Sequence, residues 1–330
     1  MIHTMIPKID AIKGKQFLVT GGAGFIGSHL VAYLLAGGAK QVRVLDNLST
    51  GFKANLQEHE SNEKFLFIQG DITDFQTCLN AAEGVDGIFH NAALGSVSRS
   101  MQDPMATNQA NVSGFVNVLF AAKQNQVKRV MYASSSSVYG DDPSSEKQES
   151  VTGKLLSPYA VSKKTDELYA DVFAKSYDME IIGLRYFNVY GPKQNPHGAY
   201  AAVIPIFISN VLQNQVPSIF GDGSTSRDFT FIDNVVYANV LAYSTQNPQA
   251  INQVYNVAYG ASTSLNQLFH LIKDSLQSDV MPDYKPERKG DIKNSLANIH
   301  KAKDLLGYEP LVDLQSGIEQ TIAWYKNHLK

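Results

Sequence analysis

The residues Thr20-Gly21-Gly22-Ala23-Gly24-Phe25-Ile26-Gly27 stand between a short apolar run, Gln16–Thr20, and a helical pattern from about Ile26 to Leu35. Glycines at 21, 24 and 27 give a G-x-x-G-x-x-G spacing, a relative of the G-x-G-x-x-G dinucleotide fingerprint. Glycine permits the tight turn and lets backbone approach a pyrophosphate at a helix N-terminus. A ligand-free βα turn uses the same spacing, so context decides. Asp46 follows the next apolar run, Gln41–Leu45, about 20 residues on, where a ribose-binding acid belongs. A carboxylate accepts hydrogen bonds from both ribose hydroxyls and repels a 2′-phosphate. No Arg follows Asp46 directly, so NAD is expected rather than NADP. Asp71-Ile72, after the run Phe65–Gln69, is placed to meet the adenine; a helix N-cap is the alternative for Asp71.

Further apolar runs at Gly87–His90, Arg129–Ser134 and Glu180–Arg185 each follow a helical stretch. Alternating strands and helices mean βαβ units, and strands apolar throughout are buried on both faces. The expected fold is α/β, a Rossmann-type doubly wound parallel sheet. After about Asn188 the rhythm breaks at Gly191-Pro192, Asn195-Pro196 and Gly221-Asp222-Gly223, which predicts a smaller C-terminal substrate-binding lobe. The expected division is an extension at 1–14, a nucleotide-binding domain at 15–187 and a lobe at 188–330, interleaved with the first.

Charge and composition exclude several classes. Lys plus Arg is 28 against 31 Asp plus Glu, so no basic excess exists for a nucleic-acid partner. No apolar run reaches the roughly 20 residues of a membrane helix; the stretch Val203–Ile208 is short and holds Pro205. The first fourteen residues carry Lys8, Asp10 and Lys13 and do not read as a signal peptide. The one cysteine, Cys78, makes neither an internal disulfide nor a Cys-rich zinc site. A cytoplasmic chain without a metal is expected.

Tyr159-Ala160-Val161-Ser162-Lys163 is the only Tyr-x-x-x-Lys spacing in the chain. Residues four apart on a helix share a face, so Lys163 reaches Tyr159 and the cofactor ribose. A free tyrosine, with a pKa of ~10, is a poor base at neutral pH, and a nearby cation favours its phenolate. Ser134-Ser135-Ser136-Ser137 ends a strand upstream, at the end of such sheets where ligands bind. Amphipathic packing is the bland alternative for Tyr159, and a solvated face for Lys163.

In order along the chain come TGGAGFIGSHL (20–30), DNLSTG (46–51), GDI (70–72), HNAALGSVSRS (90–100) and SSSSVYGD (134–141). SPYAVSK (157–163), RYFNVYGPKQNP (185–196), GDGSTSRDFTFIDN (221–234) and ERKGD (287–291) follow. With these collinear motifs the chain resembles the extended short-chain dehydrogenase/reductase family, and within it the nucleotide-sugar 4-epimerases, from about Gln16 to Trp324. The resemblance implies Tyr159 as catalytic base, Lys163 as its partner and Ser135, counted back from Val138-Tyr139-Gly140, as the serine. A slip of one residue within 134–137 stays open. It implies tightly held NAD, met by Gly21, Gly24, Phe25, Ile26, Gly27, Asp46, Asn47, Ser49, Thr50, Gly51, Asp71 and Ile72. Ala92 and Leu94, in the stretch Asn91–Leu94, and Tyr159, Lys163 and Phe187 complete that set. The implied UDP-sugar contacts are Gly95, Ser96, Ser135, Ser136, Ser137, Asn188, Gln194, Arg227, Arg288, Asp291 and Ser295. Arg suits a pyrophosphate by donating bidentately; a surface ion pair is the alternative at each Arg.

Three positions bear on substrate. Sugar-nucleotide dehydratases carry Thr-Asp-Glu where this chain has Ser135-Ser136-Ser137, which argues for simple epimerisation. Gly95 stands where UDP-glucose epimerases usually have Lys. Ser295 falls where a large Tyr guards the sugar pocket, and a serine leaves room for a 2-acetamido group. With Gln194-Asn195-Pro196-His197-Gly198-Ala199-Tyr200, this resembles the group that interconverts UDP-N-acetylglucosamine and UDP-N-acetylgalactosamine through a 4-keto intermediate. UDP-glucose 4-epimerase, a dual specificity, an N-acetylated uronic acid substrate and a non-catalytic NAD-binding protein are the alternatives. A homodimer is also implied, through helices near Asn111–Lys123 and Pro158–Lys175; Phe115, Leu119 and Phe173 supply either its apolar surface or intrachain core.

Overall fold

The apolar runs become strands whose alternate residues serve two different cores. The computed structural model describes residues 6–7, 9–196, 201–287 and 293–329. In β1 (Gln16–Thr20), Phe17 and Val19 join one hydrophobic cluster and Leu18 the other. In β5 (Arg129–Ser135), Met131 faces the first cluster, and Val130 and Tyr132 the second. Helices cover both faces, so successive side chains are all buried.

Among the described residues the main sheet has seven parallel strands. Their order is Val254–Val257, Glu180–Tyr186, β5, β4 (Gly87–His90), β1, β2 (Gln41–Asp46) and β3 (Phe65–Gln69). The pairing is parallel throughout. This is the doubly wound Rossmann arrangement: the chain winds outward from β1 through β2 and β3, then outward the other way from β4. The crevice at the carboxyl ends of β1 and β4 is the topological switch point. β2 and the strand Glu180–Tyr186 each run one residue past the expected ends, and β5 extends to include Ser135.

Smaller sheets build the rest. Thr263–Ser264, Ser226–Arg227, Asn294–Ala297 and Glu146–Lys147 form one sheet. Val189–Tyr190 pairs with Thr230–Phe231, and Ser218–Phe220 with Asp283–Lys285. The chain crosses the 187/188 division in both directions. Val254–Val257, which the sequence did not single out, joins the main sheet, and Glu146–Lys147 joins the small one. Within the first fourteen residues, Ile6 and Ile12 are buried in the core and Tyr33 donates to the Pro7 carbonyl at 2.6 Å.

Phe115 and Leu119 are fully buried and Phe173 is 8% exposed, all within one chain's core. They therefore offer no apolar surface to a second copy. Cys78 is also buried, its Sγ donating to the Ile72 carbonyl. Among the described residues no helix is long and apolar enough to cross a membrane.

Candidate active site

β1 ends at Thr20, and the turn that follows lies against the segment after β4. A Cβ added to Gly21, which has φ 68°, would sit 2.6 Å from the Ala92 nitrogen; one on Gly27 would sit 2.2 Å from the Gly21 oxygen. Only glycine allows this approach. The helix α1 (Phe25–Ala36) then starts with Gly24 as an N-cap that offers no side-chain oxygen, so its first backbone N–H groups face the cleft uncapped. An uncapped helix N-terminus at the switch point is suited to an anion.

The cleft has a volume of about 420 Å³. Gly21, Gly24, Phe25, Ile26 and Gly27 line it from the turn. Asp46, Asn47, Ser49, Thr50 and Gly51 line it beyond β2, Asp71 and Ile72 beyond β3, and Ala92, Leu94 and Gly95 beyond β4. The Asp46 carboxylate, 8% exposed, accepts from the Ala23 and Leu48 backbone N–H groups at 2.9 and 2.8 Å. Each oxygen keeps a second lone pair, which suits a ribose diol. Asp71 accepts from Asn47 Nδ2 at 2.7 Å and from the Thr73 N–H at 2.8 Å. Burial raises the Asp71 carboxyl, but these hydrogen bonds outweigh it and hold the group below the ordinary range. The N-cap of the next helix, α2 (Phe75–Ala81), is Asp74, so Asp71 is free of that duty. Uncapped helix N–H groups, an acid at the ribose position and close-approach glycines together fit a dinucleotide.

Ser157 caps the helix Pro158–Tyr177, its Oγ accepting from the Ala160 N–H at 3.1 Å, and Pro158 stands at the first helical position. Tyr159 and Lys163 lie one turn apart and both line the cleft, as does Ser135 at the end of β5. Val161, between them in sequence, is 49% exposed on another face. The serine run divides by its bonds. Ser134 Oγ donates to Glu167 Oε1 at 2.8 Å, while Ser135 Oγ accepts from the Ser137 N–H at 3.2 Å. Ser136 and Ser137 sit in the tight turn Ser136–Tyr139, off the cleft lining. Asn111, which the sequence reading passed over, lies in a π-helical turn, Gln109–Ser113. Its side chain accepts from the Leu94 N–H at 2.8 Å and donates to Ser162 Oγ at 3.0 Å. It thereby ties the cleft wall to the helix carrying Tyr159. A polar residue inside an apolar helical pattern was the available signal.

Asn188 and Val189 line this cleft and a second cavity of about 410 Å³ beside it. Arg227 lines the second cavity with apolar Phe207, Val216 and Phe220. Asn188 has φ 33° and donates from Nδ2 to the Asp228 carbonyl at 3.0 Å. Ser295 pairs in register with Arg227 and lines neither cavity. Ser96 caps the helix Val97–Gln102, accepting from the Arg99 N–H. Gln194 turns its Nε2 to the Val189 carbonyl, and its own carbonyl accepts from Tyr325. Phe187 departs from expectation: it is fully buried with Val138, Tyr139 and Ala258, while its neighbours Tyr186 and Asn188 face the cleft. Arg288, Asp291 and the segment His197–Tyr200 lie outside the described residues.

Residues 17–258 match the model of the NAD dependent epimerase/dehydratase family. A UDP-glucose 4-epimerase of Mycolicibacterium smegmatis is 40% identical over 312 residues, 94% of this chain and 98% of that protein. A UDP-glucuronate 4-epimerase of Thermodesulfobacterium geofontis is 32% identical over 322 residues, 95% of this chain and 97% of its own. Among solved structures, a UDP-N-acetylglucosamine 4-epimerase from Methanobrevibacter ruminantium M1, in complex with UDP-N-acetylmuramic acid, superposes with a TM-score of 0.90. It is 40% identical, over 96% of this chain and 99% of that one.

Proposed function

The chain belongs to the NAD dependent epimerase/dehydratase family, and from that premise we propose that it inverts C4 of UDP-N-acetylglucosamine, giving UDP-N-acetylgalactosamine reversibly. It is a UDP-sugar 4-epimerase, an NAD-dependent isomerase of the extended short-chain dehydrogenase/reductase group. The observation that carries the reading is the meeting of Ser135, Tyr159 and Lys163 in one cleft with the glycine turn, next to a cavity holding Arg227.

Bound NAD supplies a hydride acceptor and donor for the sugar C4. Tyr159 takes the proton of the 4-hydroxyl at its phenolic oxygen and returns it after the 4-keto sugar has turned. Ser135 hydrogen-bonds the same sugar oxygen, and Lys163 stabilises the phenolate. Asn188 and Arg227 hold the diphosphate, so the sugar presents either face to one pocket. Binding from the non-reacting nucleotide then serves the reacting carbon. The reading of the N-acetylated sugar rests on two sequence positions, Gly95, which lines the cleft, and the small Ser295, which pairs with the cavity residue Arg227 in the small sheet. A plain UDP-glucose substrate is the second reading, favoured by the name of the M. smegmatis relative.

A second copy of the chain covers the helix Pro158–Tyr177. Val161, Leu168 and Val172 are 49%, 59% and 55% exposed along it, beside Met101 and Met105 on neighbouring helices. The one cysteine, Cys78, is a buried free thiol, which goes with the proposed cytoplasmic location.

The test is to incubate purified protein, without added cofactor, with UDP-N-acetylglucosamine and UDP-glucose separately and to resolve the C4 epimers. Faster conversion of the acetylated sugar is expected. Faster conversion of UDP-glucose overturns the substrate proposal and leaves the epimerase chemistry standing.

A further inference from the structure

The Lys163 ammonium lies 3.1 Å from Oδ2 of Asp166, three residues along the same helix, and the side chains are 2% and 0% exposed. Exposed pairs at this spacing contribute little, but neither of these groups reaches bulk water. The other oxygen of Asp166, Oδ1, is buried and has no hydrogen-bond partner. The carboxylate therefore caps no helix and closes no turn. Lys163 lines the cofactor cleft beside Tyr159.

The neighbouring titratable groups feel this pair but either have partners of their own or stay neutral, and Glu167 adds a like charge that raises Asp166. Arg185, from the strand Glu180–Tyr186, is engaged by Glu167. Tyr132, from β5, is held protonated by burial. His90, from β4, is held neutral by burial and the Lys163 charge, its ring pushed down to about 3. Burial raises the Asp166 carboxyl to about 6 even with Lys163 beside it, so the counter-charge is present at neutral pH.

We propose that Asp166 is a positioning residue for the reaction: it anchors the Lys163 ammonium under the cleft and tempers the positive field that Lys163 exerts on Tyr159. The proposal rests on the roles given above to Tyr159 and Lys163. Asp166→Asn keeps the shape and an acceptor oxygen and removes the charge, so Lys163 acts on Tyr159 uncompensated. Asp166→Leu removes charge and anchor together.

Two readouts test it: kcat/KM against pH, and the ultraviolet phenolate difference spectrum of the protein as purified, with Tyr159→Phe of matched NAD content as the blank. For Asp166→Asn, the acid limb of the rate profile and the onset of the phenolate signal both move to lower pH by about one unit. Its alkaline plateau stays within roughly threefold of wild type. Asp166→Leu lowers kcat by about tenfold with little change in KM. An Asp166→Asn protein whose phenolate onset coincides with wild type overturns the proposal, whether or not activity has fallen uniformly. The spectrum needs no turnover, so it decides even if the substrate is misassigned. An active Tyr159→Phe enzyme would instead remove the assignment on which the proposal stands.

Discussion

Arg185 grips Glu167 with two parallel hydrogen bonds of 2.8 Å, Nε to Oε1 and Nη2 to Oε2, where the side chains are 2% and 5% exposed. Ser134 donates to the same Oε1, and the guanidinium lies 4.9 Å from the Tyr139 ring centroid. Three elements meet here: the helix bearing Tyr159 and Lys163, the end of β5 bearing Ser135, and the strand Glu180–Tyr186. Burial pushes the Glu167 carboxyl up, but the bonds and charge of Arg185 outweigh it and hold the group below its ordinary range.

Removing Glu167 leaves a buried guanidinium uncompensated. Glu167→Ala is expected to cost about 3–5 kcal/mol in denaturant unfolding. A loss under about 1 kcal/mol would show that the pair does not hold these elements together.

Burial makes His90 one acid-labile group of the fold, beside carboxylates such as Glu167. Its Nδ1 lies 2.8 Å from Thr20 Oγ1, and its ring pairs with Phe115. The folded-state value, about 3, lies below the ordinary 6.5. The stability it contributes is therefore present above pH 6.5 and lost as pH falls toward 3, by about 1.4 kcal/mol per pH unit. Asp166, raised from 3.8 to about 6, acts in the opposite sense as pH rises through that window. Unfolding of wild type and His90→Gln, compared between pH 6.5 and 4, isolates the histidine. A flatter curve is expected for the variant; parallel curves would rule His90 out as an acid-labile group.

Ser295 sits opposite Arg227 in the small sheet. If it gates the sugar pocket, Ser295→Tyr lowers kcat/KM for UDP-N-acetylglucosamine by about 10–200-fold and spares UDP-glucose. Equal losses on both sugars would show that the position is no gate.

The apolar stripe on the helix Pro158–Tyr177 gives an assembly prediction. Wild type sediments as a dimer at micromolar concentration, and Leu168→Glu as a folded monomer. A monomeric wild type would contradict the pairing of copies.

Much of this was legible because the chemistry is local. The glycine turn, Asp46 and the pair Tyr159 and Lys163 lie within single βα units, where spacing fixes geometry. Phe187 stands one residue past the end of the strand Glu180–Tyr186 and is buried away from the cleft that Tyr186 and Asn188 line, and a motif carried over as a string does not show which side faces inward. Val254–Val257 carries the polar Asn256 and lies well after the alternating rhythm of strands and helices ends, so nothing local announces that it joins the main sheet. Asp166 and Asn111 read as ordinary helix residues until the fold buries them beside Lys163 and Leu94.

The central claim is that Tyr159 moves the proton in C4 inversion. Wild type and Tyr159→Phe would be incubated with UDP-N-acetylglucosamine at matched NAD content, and the formation of UDP-N-acetylgalactosamine followed. The account predicts conversion by wild type and a loss of at least about 10²-fold in the variant, with unchanged circular dichroism. Conversion by Tyr159→Phe at a rate near that of wild type would contradict it.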